Sequence, residues 1–351
     1  LTFDEPLTIN LKKRIKKNKE RGIRRMIIQS KTLQIIFVLL IWALLDGCAR
    51  QPVDLARQEQ TVMSKEETSG SLEQAMAPAF HLTDTQKTYN RIGQVVASGT
   101  KDDNHVSIAP DHPVLYVGTR QFSTEKSSYT NLIYRIHFLE QPYSLVPFNY
   151  GAGQHVGVLV ILTLNQHNQV VLVTTSQTCG CYAVSIPTKE LPNASYPRNW
   201  PTSQVIVAGE HLPSSLPAIG ADDVVQIFLR PEVHRVMDIA VVPRVSLTNN
   251  AVSATLAELA SLKQLSLEDG TTTSLYHHSW PLTGHVKGAI KPWETLLLGL
   301  VSFDLFVGMD KEYGDTRESG NPFYTSLKPW NRQVSDMNDF PSYLRFNGWR
   351  L

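Results

Sequence analysis

The chain has 351 residues, a formal net charge of +1, 42% hydrophobic residues and only three cysteines. That length can bury its own core, and the cysteine count excludes a small disulfide-stapled fold. Residues 1–47 alone carry +6, which leaves −5 from Cys48 onward and no electrostatic footprint for a phosphate backbone, so nucleic acid is excluded as a partner.

The chain begins with a basic block, Lys12-Lys13-Arg14-Ile15-Lys16-Lys17-Asn18-Lys19, and its first methionine is Met26. Next comes an apolar run, Ile35–Leu45, which ends in Asp46-Gly47-Cys48. The basic block is read as the cytoplasmic flank of that run. Eleven residues are too few to span a bilayer, which takes about 17–25. Positive charge, a short apolar segment and small residues are instead the parts of a secretory signal. Leu45-Asp46-Gly47-Cys48 resembles the lipobox of bacterial lipoprotein signal peptides, with Asp46 as its departure from the usual pattern. The resemblance implies that Cys48 is lipidated, with palmitate among the acyl chains, and becomes the mature N-terminus. Ala49 follows in place of an aspartate, which by the same resemblance points to the periplasmic face of the outer membrane.

Residues 48–82 are rich in Gln, Glu, Ser and Thr and read as the lipidated cysteine plus a flexible tether. Residues 83–351 read as a single globular body. Thr83-Asp84 is expected to cap a short helix through Val96. Strands are expected at Val114–Val117, Leu132–Phe138, Val156–Leu164, Val170–Thr175, Val224–Leu229 and Val236–Val242. Helices are expected from Ala251 to Leu265, opened by Asn249-Asn250, and from about Trp293 to Phe306. The second carries Leu296-Leu297-Leu298-Gly299-Leu300-Val301, apolar on every side, and so is expected to be buried within the protein. Strands followed by helices give an α+β fold with an antiparallel or mixed sheet and two or three helices.

Familiar catalytic motifs are absent: there is no H-E-x-x-H, no G-x-S-x-G and no G-x-x-x-x-G-K-[ST]. Gly151-Ala152-Gly153-Gln154-His155-Val156-Gly157 resembles a dinucleotide loop only loosely. It leads into a strand, and no helix N-terminus is there to take a phosphate.

One constellation remains. Val156–Leu164 and Val170–Thr175 flank the turn-rich Asn165-Gln166-His167-Asn168 and are expected to form a hairpin. Closed around Gln166-His167, opposite residues sum to 333, which sets His155 opposite Thr178 and Gln154 opposite Cys179. A histidine then meets Cys179-Gly180-Cys181 at the hairpin's open end. Several readings of the pair stay open: a strained disulfide bent at Gly180, a soft-metal site of two thiolates and an imidazole, a catalytic thiol, or two small side chains packing. A catalytic thiol needs a base, and His277 and His278, about a hundred residues downstream, are candidates alongside His155.

From Phe303 to Trp349 the chain holds ten of its thirty aromatic residues. Disordered tails lack aromatics, so this segment is expected to lock onto the body; a glycan-stacking platform is the alternative. The leading functional expectation is a membrane-anchored periplasmic lipoprotein acting as a non-catalytic envelope binding or assembly module, with no cofactor. Its partners are the bilayer, through the acyl anchor, and an envelope protein or cell-wall glycan. The alternative is an envelope enzyme or metal-binding protein built on Cys179, Cys181 and a histidine.

Overall fold

The computed structural model describes residues 58–65, 70–248 and 251–351. The basic lead-in, the signal segment and Cys48 lie outside the described residues. Ten strands form the main sheet: β1 (Glu59–Ser64), β2 (Ala79–Thr83), β3 (Val114–Ser123), β4 (Ser128–His137), β5 (Gly157–Leu164), β6 (Val170–Gln177), β7 (Val184–Pro187), β8 (Asp223–Leu229), β9 (Val236–Pro243) and β10 (Ala251–Glu258). Their order across the sheet is β7-β6-β5-β4-β3-β10-β1-β2-β8-β9. The helices are short: α1 (Leu72–Ala75), α2 (Val245–Thr248), α3 (Pro292–Ser302), α4 (Thr316–Ser319) and α5 (Phe340–Phe346).

The fold is therefore predominantly β, which corrects the expected α+β body. The largest departure is Ala251–Leu265. Its Ala, Leu and Glu favour a helix, yet β10 pairs in parallel on both edges, with β1 through Ala251–Ala254 and with β3 through Thr255–Glu258. Sheet pairing on two sides outweighs a helix propensity of a few tenths of a kcal/mol per residue. The helix expected through Val96 is likewise only a 3-10 turn, Thr88–Asn90, before Gln94–Gly99 pairs with Asn104–Ala109. Asp84, with φ +60°, and the buried Asn90, donating to Asp84 O, hold a turn there.

The expected flexible tether is corrected too. β1 lies inside the sheet, between β10 and β2, and Val62, Met63, Phe80 and Leu82 are buried. Those few apolar side chains suffice because the backbone groups of β1 are paired on both edges.

The expected hairpin is β5 and β6, but opposite residues sum to 335. One residue comes from a longer turn: Asn165 accepts at Oδ1 from the amides of His167 and Gln169, and Asn168 takes φ +58°. The second comes from a bulge between Val170 and Leu172. A slip of two keeps every side chain on its expected face.

β5 is buried along its whole length. Val158, Val160 and Leu162 face one core, while Leu159 and Ile161 face a second one roofed by Phe323, Phe340, Tyr343 and Trp349. The aromatic C-terminal segment thus covers the sheet's other face.

Candidate functional site

Beyond Gln177 the chain turns back on itself. Gln177 O accepts from Gly180 N at 2.9 Å, and Gln177 N donates to Cys181 O at 3.0 Å. Gly180 has φ +92°, and a Cβ there would stand 2.2 Å from Tyr324 O, so only glycine fits. The turn folds Cys179 over its neighbour, and Cys181 N lies 3.4 Å from Cys179 Sγ. Both cysteines are free thiols; Cys179 is buried and Cys181 half-buried. In its thiol form Cys179 also reaches Gln177 Oε1, at 3.8 Å.

Two segments strap this turn. Lys311 N donates to Thr178 O at 2.8 Å, and Lys311 Nζ donates to Cys179 O at 3.0 Å while lying 3.8 Å from the centre of the Tyr324 ring. The Thr178 hydroxyl donates to Asp310. From the other side, the first turn of α3 brings Glu294 Oε1 to 3.5 Å from Cys181 Sγ. Lys291, directly before α3, lies 3.9 Å from Asp310 Oδ2. Lys291, Glu294, Asp310 and Lys311 are all buried, so four charged side chains surround the turn that carries the two thiols.

Their electrostatics follow from that crowding. The Cys181 thiol hydrogen-bonds to Cys179 and holds its pKa below the usual thiol value, against burial and with help from Lys291. The same bond and burial raise Cys181. Burial opposes the charge of Lys291, but Asp310, Cys179 and Glu294 outweigh it and its pKa is raised. Lys311 is lowered, because burial exceeds the pull of the cysteines and aspartates.

The expected histidines have contacts of their own, and His155 feels the Asp310 carboxylate of this cluster. His155 is buried, with φ +56°, and its Nδ1 donates to Lys287 O at 2.7 Å. Its ring fills the space over Gly288, where a Cβ would come within 2.8 Å of Cε1. His277 lines an apolar groove of about 480 Å³ with Ile290, Leu296, Phe306 and Met309, and His278 is exposed. Among the described residues, no group of three or more His, Cys, Asp or Glu side chains could hold a metal ion. The proton acceptor nearest the thiols is Glu294, which no motif marked. Asp310-Lys311-Glu312 reads in the sequence as a solvated charge run, and only the fold shows that it is buried.

A second feature lies on α3. Its buried residues are Glu294, Gly299 and Ser302, and its exposed ones include Leu296, Leu300 (83% exposed) and Val301, followed by Phe303 (80%). The expectation of a helix buried all round is corrected: the polar face points inward and the apolar face outward. Leu145 and Val146 are exposed as well, in the loop whose Phe148 packs edge-on against Trp293 at 5.7 Å. No described helix is long and apolar enough to cross a membrane.

A separate cleft of about 690 Å³ opens beside β3 and β10, lined by neutral polar groups including Gln94, Ser253, Thr255 and Gln264. Its one carboxylate, Asp111, is paired with Arg91 at 2.9 Å. Comparison of the chain with protein-family models, curated proteins and solved structures finds no match.

Proposed function

We propose that the protein is a lipid-anchored envelope lipoprotein that acts as a non-catalytic binding module seated on the bilayer surface. The observation that carries this is the outward apolar face of α3, with Leu296, Leu300, Val301 and Phe303 in water. A contiguous apolar patch of this kind marks an interaction surface. The bilayer is the partner that chain geometry favours. If Cys48 carries acyl chains, only residues 49–58 separate it from Glu59, the first residue of β1. Ten residues reach at most about 33–36 Å, which keeps the body at the membrane surface. The neutral cleft beside β3 and β10 suits an uncharged polar ligand.

The test has two parts. Mass spectrometry of membrane-extracted protein is expected to find acylation at Cys48, abolished by Cys48→Ala. The chain from residue 48, made with Cys48→Ser, is expected to co-sediment with phosphatidylcholine vesicles. Leu300→Asp is expected to weaken that binding about tenfold or more, since one buried leucine contributes about 1.5–3 kcal/mol. Vesicle binding untouched by Leu300→Asp would reject the α3 face, and an unmodified Cys48 would reject the anchor.

A further inference from the structure

We infer that Cys179 and Cys181 form a dithiol–disulfide couple that exchanges with low-molecular-weight disulfides, with Cys181 as the attacking thiol, Glu294 as its proton acceptor and Cys179 as the resolving thiol. Three observations carry this assignment. The chain turns within Gln177–Cys181, closed by Gly180 N–H to Gln177 O and by Gln177 N–H to Cys181 O, so the pair does not lie in the extended i, i+2 arrangement whose roughly 7 Å is at the limit of a disulfide. Cys179 Sγ folds back to 3.4 Å from the Cys181 amide nitrogen, and both thiols are free. Relative burial assigns the order: Cys181 is half-buried and Cys179 is buried.

The reaction balances as a two-electron exchange. Cys181 passes its proton to Glu294, 3.5 Å away, and its sulfur attacks an external disulfide R–S–S–R. One S–S bond breaks, a Cys181–S–S–R bond forms, and R–S⁻ leaves, taking up a proton. Cys179 then gives up its own proton, and its sulfur attacks the Cys181 sulfur. The second R–S⁻ leaves, and the Cys179–Cys181 bond forms. The protein loses two electrons and two protons, and the external disulfide becomes two thiols. Access and proton transfer to Glu294 govern the first step, and the lowered pKa of Cys179 supplies the thiolate for the second. The straps from Lys311 to Thr178 O and Cys179 O hold the turn in place, so resolution occurs within a preformed geometry.

The test uses the full chain in a graded series of glutathione and glutathione disulfide, quenched with acid, alkylated and mapped by peptide mass so that Cys48 is followed separately. The peptide holding residues 179 and 181 is expected to pass from two alkylated thiols to an internal disulfide in one step, without a lasting glutathione adduct. Cys179→Ser is expected to accumulate a glutathione adduct on Cys181. Cys181→Ser is expected to leave Cys179 unreacted while the chain stays folded. Glu294→Gln is expected to slow oxidation at neutral pH about tenfold or more, with the difference vanishing at alkaline pH. Should a variant fail to fold, the unmodified chain still decides. Two thiols that stay alkylatable in excess glutathione disulfide would overturn the assignment, as would a persistent Cys181 adduct beside a free Cys179.

Discussion

Single side chains in this protein are governed by burial more than by type. His234 is buried, stacks on Phe138 with centroids 4.0 Å apart, and donates through Nε2 to Asn90 Oδ1. Burial pushes its pKa down from 6.5 to about 3. The unfolded chain therefore binds a proton between those values while the folded chain does not. The stability that the neutral ring contributes is complete above about pH 6.5 and is lost as pH falls toward 3. At pH 4 the loss is roughly 3 kcal/mol from this residue. His285, lowered to about 4 chiefly by burial and then by Lys311, adds to the same limb. His234→Phe keeps the ring stack and removes the titrating group. Its urea midpoint is expected to fall less than that of the unmodified protein between about pH 7 and pH 4. Identical slopes would show that His234 does not set the acid limb. The same rule hid the thiol cluster: Lys291, Glu294, Asp310 and Lys311 look like ordinary surface charges until the fold encloses them.

Among the elements, strands were more legible than helices. β5 is a nearly continuous apolar run and β6 opens with one, Val170–Val173, and such runs bounded by turn residues pair wherever they find a partner. α3 was legible in its start, because Pro292 opens it, but it ends at Ser302, short of the expected Phe306, and its direction was hidden because Leu296–Val301 carries no polar stripe to mark a wet face. The C-terminal element was legible from its density of rings. Phe340, Tyr343, Leu344 and Trp349 are buried, and Trp349 packs on Trp200 at 4.9 Å. At about 1.5–3 kcal/mol each, the four side chains contribute on the order of 6–12 kcal/mol. That is comparable to the whole stability of a domain, about 5–15 kcal/mol. Truncation after Asp339 is therefore expected to yield insoluble protein or a melting temperature lower by many degrees. A truncated chain that melts like the full one would refute the lock.

The described residues belong to one compact unit, Pro52–Leu351, and β10 is where its two sets of strands meet. One half of β10 pairs with β1 and the other with β3, so neither set can open without exposing the edge of the other. Urea unfolding followed by far-ultraviolet circular dichroism and by tryptophan fluorescence is expected to give one coincident transition. Thr255→Pro removes the N–H that bonds to Pro113 O at 3.0 Å, and is expected to disrupt both sets together. Two separated transitions in the unmodified protein would argue against β10 as the joint.

Local patterning alone was enough to place β5 and β6 as partners, to start a helix near Pro292, and to require that rings such as Phe340, Tyr343 and Trp349 be buried. These features depend on neighbours in the chain, or on an apolar content that water disfavours wherever it sits. Three others were decided only by tertiary structure. Ala251–Glu258 became a strand because two edges were free to take it. Glu59–Ser64, polar enough to look like linker, was drawn into the sheet for the same reason. The thiols acquired Glu294 and Lys291 as partners in place of His155, because α3 packs its polar face onto the turn at Gly180. Long-range pairing and the facing of a helix depend on which surfaces meet, and no window of neighbouring residues contains that information.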